Sequence, residues 1–277
     1  MTADEYCRQK AVASGTSFYY SFLFLPPERR RAITALYAFC REVDDVVDEC
    51  SDAQLARTKL AWWRLEVGKL FEGRPSHPVM NALQPSIEKF KITAAQLNEI
   101  IDGMEMDLTQ TRYLDFAGLE RYCYHVAGAV GLLAAGIFGY RNPRTLDYAK
   151  NLGTAFQLTN IIRDVGEDAR KNRIYLPMDE LKRFEVPAAD ILQAKHSESF
   201  RKLMEFQARR AESFYDKAMQ SLPTEDRRTQ RAGLIMAAIY RATLAEVERD
   251  GFRVLTQRTS LTPLRKFWLA WKTWVSA

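Results

Sequence analysis

Four polar side chains, Tyr37, Arg41, Asp44 and Asp48, recur at intervals of four, three and four residues in YAFCREVDDVVD (37–48). On a helix, at ~100° per residue, they share an arc of about 60°. A second segment, QLTNIIRDVGED (157–168), repeats the pattern, with Gln157, Asn160, Asp164 and Asp168 on one face and Arg163 at its flank. Val43, Val46, Val47, Ile161, Ile162 and Val165 surround these polar stripes, so both helices are expected to be largely buried and the carboxylates to sit deep. Ionised groups buried without partners cost several kcal/mol. Two such acidic faces turned toward one another would repel unless cations lay between them. Mg²⁺ suits the task, because it binds through one or two carboxylates, keeps water and takes further ligands from substrate phosphates. Arg41, Arg163, Lys171 and Arg173 then read as grips for phosphate oxygens. Asp45 and Glu167 fall off the stripes and read as surface or supporting charge.

Long helices must carry these faces. The chain of 277 residues has only 13 Gly and 10 Pro, about 8% together against the usual ~12%, so turns are sparse. Apolar residues recur at helical spacing nearly everywhere, as in Ile33, Leu36, Tyr37, Phe39 and Cys40, or Leu152, Phe156, Leu158 and Ile161. The pattern predicts helices at about 3–14, 27–49, 52–72, 76–89, 94–108, 115–139, 144–168, 197–221, 225–250 and 263–274, with no run of strands. Pro177 and Pro187 bound the least regular stretch, 169–196, which is expected to form a loop at the mouth of a site. No Gly/Ser/Pro-rich seam divides the chain, so residues 1–277 are taken as one domain. Gly128, Gly131, Gly136 and Gly139 lie within a helical pattern rather than after a strand, which points to close helix packing and away from a nucleotide-binding loop.

Composition narrows the function further. With 47% hydrophobic and 27% charged residues the chain reads as an ordinary globular protein. Its four cysteines are scattered, and MTADEYCRQK lacks the apolar core of a secretory signal, so a reducing, cytoplasmic setting is expected. The longest apolar stretch, Val126 to Tyr140, is shorter than the ~20 residues of a spanning helix. His77, His125 and His196 have no zinc spacing, which leaves oxygen ligands for any metal. A net charge of +5 suits an anionic substrate, an acidic membrane face or nucleic acid alike. Because the basic residues are interleaved with acidic ones, nucleic acid is not expected as a partner. A noncatalytic basic helical binding module stands as the rival from another class, and it would tolerate replacement of the Asp faces.

SGTSFYYSFLFLPPERRRAITALYAFCREVDDVVDE (14–49), RYCYHVAGAVG (121–131) and FQLTNIIRDVGEDARKNRIYLP (156–177) together resemble the squalene/phytoene synthase family of head-to-head isoprenyl diphosphate synthases. Within it the chain looks most similar to presqualene diphosphate synthases of the hopanoid pathway, with phytoene and dehydrosqualene synthases near. The resemblance implies an all-α, terpenoid-synthase-type helical bundle around a central cavity, with the two Asp-rich helices facing one another at its mouth. It implies that Asp44, Asp48, Asp164 and Asp168 bind several Mg²⁺ ions. Asn160 and Gln157 stand where relatives carry polar metal- or diphosphate-site residues. Tyr37, Arg41, Arg163, Arg173 and Tyr175 match diphosphate-binding positions, as do Ser17 and Phe18 near the N-terminus. Tyr122 matches a tyrosine proposed as an acid–base participant. Ser14 and Gly15 depart from relatives that carry His and Ser there.

The expected reaction is condensation of two farnesyl diphosphates to presqualene diphosphate, by a prenyltransferase that needs no NADPH for this product. Phytoene, dehydrosqualene and squalene synthesis are the alternatives within the family. Phe18, Phe22, Ala127, Val130, Leu133 and Phe156 are expected to wall an apolar cavity. Either Tyr122 or the released diphosphate could take the proton lost on ring closure. Finally, Leu264, Phe267, Trp268, Trp271 and Val275 fall on one side of the last helix, with Arg265, Lys266 and Lys272 largely elsewhere. That composition suits either an interfacial helix in peripheral contact with a membrane or a terminal helix packed on the bundle.

Overall fold

A computed structural model describes residues 1–13, 21–50 and 52–276. Helix α1 spans Ala3–Ala13, α2 Pro27–Glu49, α3 Ala53–Phe71, α4 Pro78–Leu83, α5 Ala94–Thr109, α6 Phe116–Cys123, α7 Ala129–Phe138, α8 Arg144–Arg170, α9 Glu198–Ser221, α10 Arg231–Arg249 and α11 Pro263–Ser276. Shorter helical turns join them. Among the described residues β-pairing is limited to one isolated bridge, Arg112 with Ile174. The expected all-α bundle is present.

Local chemistry sets the helix ends. Pro27 opens α2 at a position where a missing N–H costs nothing. The Asp52 carboxylate accepts from the Gln54 and Leu55 amides at 2.8 and 3.3 Å to start α3, and Thr93 and Gln96 close a capping box on α5. Four boundaries differ from the sequence reading. The predicted helix 225–250 begins only at Arg231, after a separate 3-10 turn at Thr224–Asp226. The predicted helix 76–89 breaks at Pro85 into α4, a 3-10 turn and Ile87–Phe90, because proline cannot continue the hydrogen-bond ladder. The stretch 169–196 carries two short helices, Met178–Arg183 and Ala188–Leu192, each starting directly after one of the prolines that seemed only to bound it. The predicted helix 115–139 is divided by a π turn, Tyr124–Gly128, between α6 and α7.

Helix α8 is central, packing against α9, α10, α7 and the π turn. Close approach at two crossings depends on glycine. A Cβ on Gly153 would lie 2.5 Å from the Ala127 carbonyl oxygen, and one on Gly131 would lie 2.6 Å from that of Ala149. Two large apolar clusters result. One gathers α8, α9 and α10; the other gathers α2, α3, α5 and α7, and Val126 of the π turn touches both. Their joint enclosure leaves a hollow that α2, α5, α6 and α8 all line.

Candidate functional site

Helices α2 and α8 present their acidic stripes to one cavity of about 600 Å³. Asp44 and Asp48 come from α2; Gln157, Asn160, Asp164 and Asp168 come from α8. Lys171, Arg173 and Tyr175 enter it from the segment after α8, so this part of 169–196 does lie at the site. The two α2 carboxylates are less deep than their apolar neighbours suggested, whereas the Asp164 side chain is only 17% exposed. The side chain of Asp48 is 38% exposed and that of Asp44 35%, because the stripe faces an open hollow while Val43, Val46 and Val47 are buried behind it.

Each acidic face is held by the chain's own cations. Arg41 donates to Asp44 at 2.7 Å and to Asp45 at 2.5 Å, and Lys10 reaches Asp45 at 2.8 Å. Asp45 therefore supports Arg41 from the back of the stripe. Lys171 and Arg173 meet Asp48 at 3.1 and 3.2 Å and tie the segment after α8 to α2. Arg163 grips Asp164 with two hydrogen bonds, at 2.7 and 2.5 Å, and Arg258 adds another at 2.9 Å. Glu167 lines the cavity 3.6 Å from Arg258.

The environment divides the carboxylates electrostatically. Burial pushes Asp168 up to about 7, and the neighbouring Asp164 charge adds to the shift. Burial also pushes Asp44 up to about 6, against the pull of Arg41. Burial would raise Asp164 as well, but the Arg163 and Arg258 hydrogen bonds and charges outweigh it and hold that carboxyl below its ordinary value. Asn160 donates to Gln157 at 3.3 Å, and its buried carbonyl oxygen has no hydrogen-bond partner. An unpaired hard oxygen beside carboxylates fits the donor set Mg²⁺ prefers. Among the described residues no three acidic, His or Cys side chains form a ready-made metal cluster. Ions there would complete their shells with substrate oxygens and water.

A second, apolar cavity of about 240 Å³ adjoins the first. Phe22, Ile33, Leu36, Val130, Phe138, Leu152, Phe156 and Met236 wall it, together with Ala127, Gly131 and Gly153. Leu133, expected in this wall, lies in the core behind it, on the side of α7 that packs with the α2 cluster. Tyr37, Arg41, Asp44, Asp107, Tyr122, Gln157 and Asn160 border both hollows. Ser17 and Phe18, with Ser14 and Gly15, fall outside the described residues.

Sequence reasoning missed Asp107, Arg258, Tyr240 and Lys266, all of which line the polar cavity. Asp107 left a signal. It continues the buried face of α5 formed by Ile100 and Met104, an acid where periodicity demands an apolar residue. Its carboxylate accepts from the Tyr122 hydroxyl at 2.9 Å and the Tyr175 hydroxyl at 2.7 Å. Arg258 sits in a loop after α10, where no periodicity marks it.

Comparison with known proteins gives a consistent picture. The profile of the squalene/phytoene synthase family matches residues 11–265. A phytoene synthase of Arthrospira platensis is 36% identical over 275 residues, covering 95% of this chain and 89% of that protein. A chloroplastic phytoene synthase of Narcissus pseudonarcissus is 34% identical over 94% of this chain, which spans 63% of its length. A crystal structure of a dehydrosqualene synthase in complex with ligand superposes with a TM-score of 0.87 at 30% identity, covering 99% of this chain and 96% of that one.

Proposed function

Since the chain belongs to the squalene/phytoene synthase family, an isoprenoid-synthase family of prenyltransferase type, we propose that it condenses two farnesyl diphosphates head to head into presqualene diphosphate. One observation carries the reading: a carboxylate- and arginine-lined cavity opens directly into an apolar one, with seven residues common to both walls. That shape accommodates a molecule with a diphosphate head and a hydrocarbon tail.

Asp44, Asp48, Asn160, Asp164 and Asp168 would hold Mg²⁺, which when bound supplies positive charge to stabilise the departing diphosphate. Arg41, Arg163, Lys171 and Arg173 hold phosphate oxygens, and arginine does so through paired hydrogen bonds. Tyr37, Gln157 and Tyr175 shape the wall around the head group. Once the allylic carbocation forms, the apolar cavity keeps water from it and holds the acceptor double bond in register. The rings of Phe22 and Phe156 offer their faces to the positive charge. Tyr122, at the junction of the two hollows, would take up the proton lost on closing the cyclopropane, a role the released diphosphate could also fill.

The relatives at 34–36% identity are named phytoene synthases, which favours as second reading the same chemistry on a C20 substrate. Purified protein with Mg²⁺ and an equimolar mixture of farnesyl and geranylgeranyl diphosphates, with and without NADPH, separates the readings by product mass. We expect presqualene diphosphate, unaffected by NADPH, and loss of diphosphate release in folded Asp44→Ala and Asp164→Ala variants. Preferential use of the C20 substrate would transfer the reading to phytoene synthesis. Unchanged turnover in both Asp variants would favour a noncatalytic helical module.

No helix among the described residues is long and apolar enough to cross a membrane. Helix α11 packs on α10 through buried Ala270 and through Arg265, which donates to Glu246 at 2.6 Å, yet leaves Leu264, Phe267, Trp268 and Trp271 exposed, with Lys272 over the Trp268 ring. We assign this face to peripheral contact with an anionic bilayer. Removal of residues 263–277 should abolish binding to anionic liposomes, and undiminished binding would exclude that contact.

A further inference from the structure

Asp107, Tyr122 and Tyr175 come from three separate elements, α5, α6 and the segment after α8, and meet at the junction between the polar and apolar cavities. The carboxylate uses one oxygen for each hydroxyl: Oδ2 accepts from Tyr122 at 2.9 Å and Oδ1 from Tyr175 at 2.7 Å. The two rings stack with centroids 5.1 Å apart, and Tyr113 closes a triangle with them, 5.8 Å from Tyr175 and 5.5 Å from Tyr122. All three hydrogen-bonded side chains are buried, so their geometry is fixed by packing.

A neutral buried phenol cannot take up a proton unless it surrenders its own. Burial, reinforced by the Asp107 charge, raises Tyr122 well above its ordinary value, so the free phenolate is not the resting form. The hydrogen bond from Tyr122 leads to Asp107. Burial pushes Asp107 up to about 6, against the hydrogen bond from Tyr175, the charge of nearby Arg173 and the hydrogen bond from Tyr122, with Asp48 adding to the rise. A carboxylate in that range can hold a proton transiently.

Building on the proposed cyclopropane-forming reaction, we infer that Asp107 is the positioning residue of Tyr122 and the final acceptor of the proton lost on ring closure. The C–H bonding pair of the cationic adduct becomes the new C–C bond of the cyclopropane. The released proton passes to the Tyr122 oxygen while the Tyr122 proton passes to Asp107 Oδ2. The carbocation centre and the carboxylate thereby become a cyclopropane and a carboxylic acid, with the acceptor's diphosphate unchanged, and Asp107 returns its proton to water between turnovers. Tyr175 holds the other carboxylate oxygen, so that Oδ2 stays aligned on Tyr122.

The test compares Asp107→Asn, Tyr122→Phe and the double variant with the unaltered chain, measuring diphosphate release and cyclopropylcarbinyl diphosphate separately. The substrate is whichever of farnesyl or geranylgeranyl diphosphate the unaltered chain consumes. Asparagine keeps the size and one carbonyl acceptor but cannot take the proton. We expect Asp107→Asn to keep KM within about twofold and to keep releasing diphosphate, while cyclopropane product falls ~100-fold or more and alcohol products from water capture rise. The double variant should be no worse than either single one, since the two residues act as one unit. Equal cyclopropane yield in Asp107→Asn overturns the inference, as does joint loss of diphosphate release and ring closure, which would place Asp107 in head-group binding. If Asp107→Asn does not fold, the unaltered chain carries the test: its ratio of cyclopropane to alcohol should fall in D₂O, and an unchanged ratio overturns the relay. An unaltered chain that yields no cyclopropane from either substrate refutes the parent reaction instead.

Discussion

Replacing Gly153 by alanine should destabilise the protein, although the same change in an ordinary helix interior stabilises by roughly 0.5–1 kcal/mol. The added methyl would sit 2.5 Å from the Ala127 carbonyl oxygen, 2.8 Å from its carbon and 2.9 Å from the Gly128 Cα. All three are backbone atoms of the π turn, so none can swing aside as a side-chain tip would. Restoring an ordinary contact of 3.4 Å requires about 0.9 Å of separation between α8 and the turn. Overpacking of this kind costs about 1–3 kcal/mol, leaving a net loss of up to about 2.5 kcal/mol after the helix gain. At about 2–4 °C per kcal/mol, the midpoint of thermal unfolding should fall by several degrees. The same displacement moves Tyr122 and its neighbours against Asn160 and Asp164, and an ångström of misplacement can cost about 100-fold in rate. Circular dichroism melting and product assays on Gly153→Ala read both effects. A variant as stable and as active as the parent would show that this crossing is not held by backbone contact.

Two further substitutions probe the frame away from the acidic stripes. Buried Glu66 on α3 accepts from Lys69 at 2.8 Å, from the Ser76 hydroxyl at 2.6 Å and from the amides of Ser76 and His77 at 3.0 and 2.9 Å. Burial alone would raise this carboxyl, but those donors hold it at about 2. Its stabilisation is therefore complete above the unfolded-state value near 4.5 and disappears as pH falls toward 2, so Glu66→Gln should lose about 2–3 kcal/mol at pH 7 and much less at pH 3; urea titrations giving the same loss at both pH values would contradict this. The Tyr148 hydroxyl is buried against the apolar cavity without a partner, so Tyr148→Phe should be neutral or stabilise by up to about 1 kcal/mol, and a loss of more than about 1 kcal/mol would reveal a partner for that oxygen.

The two Asp stripes were legible because each repeats at helical spacing amid apolar residues, and period alone decides which side chains share a face. Periodicity also located nearly every long helix, since α2, α8 and α9 each bury a continuous side. It could not show the π turn, because Tyr124–Gly128 has no distinguishing composition and arises where backbone approaches Gly103 and Gly153. Nor could it show that Arg163 and Arg258 converge on Asp164, a contact across 94 positions for the second of them. The depth of Asp44 and Asp48 was misjudged for a related reason. A buried helix can still turn one stripe toward a hollow, and the presence of that hollow is a property of how helices distant in sequence pack.

The wide turn at Tyr124–Gly128 acts as a phase shifter within what would otherwise be one rod. Upstream of it, α6 must aim Tyr122 at Asp107; downstream, α7 must bring Gly131 against Ala149. Deleting a single residue there would swing one half by about 100° relative to the other, so that either the hydroxyl or the glycine would lose its mate. Insertions and deletions should therefore be tolerated in the loops flanking this rod and rejected within it, which ties the chemistry at the cavity junction to the length of this segment as well as to Val126 and Ala127, the side chains it sets in the cavity wall.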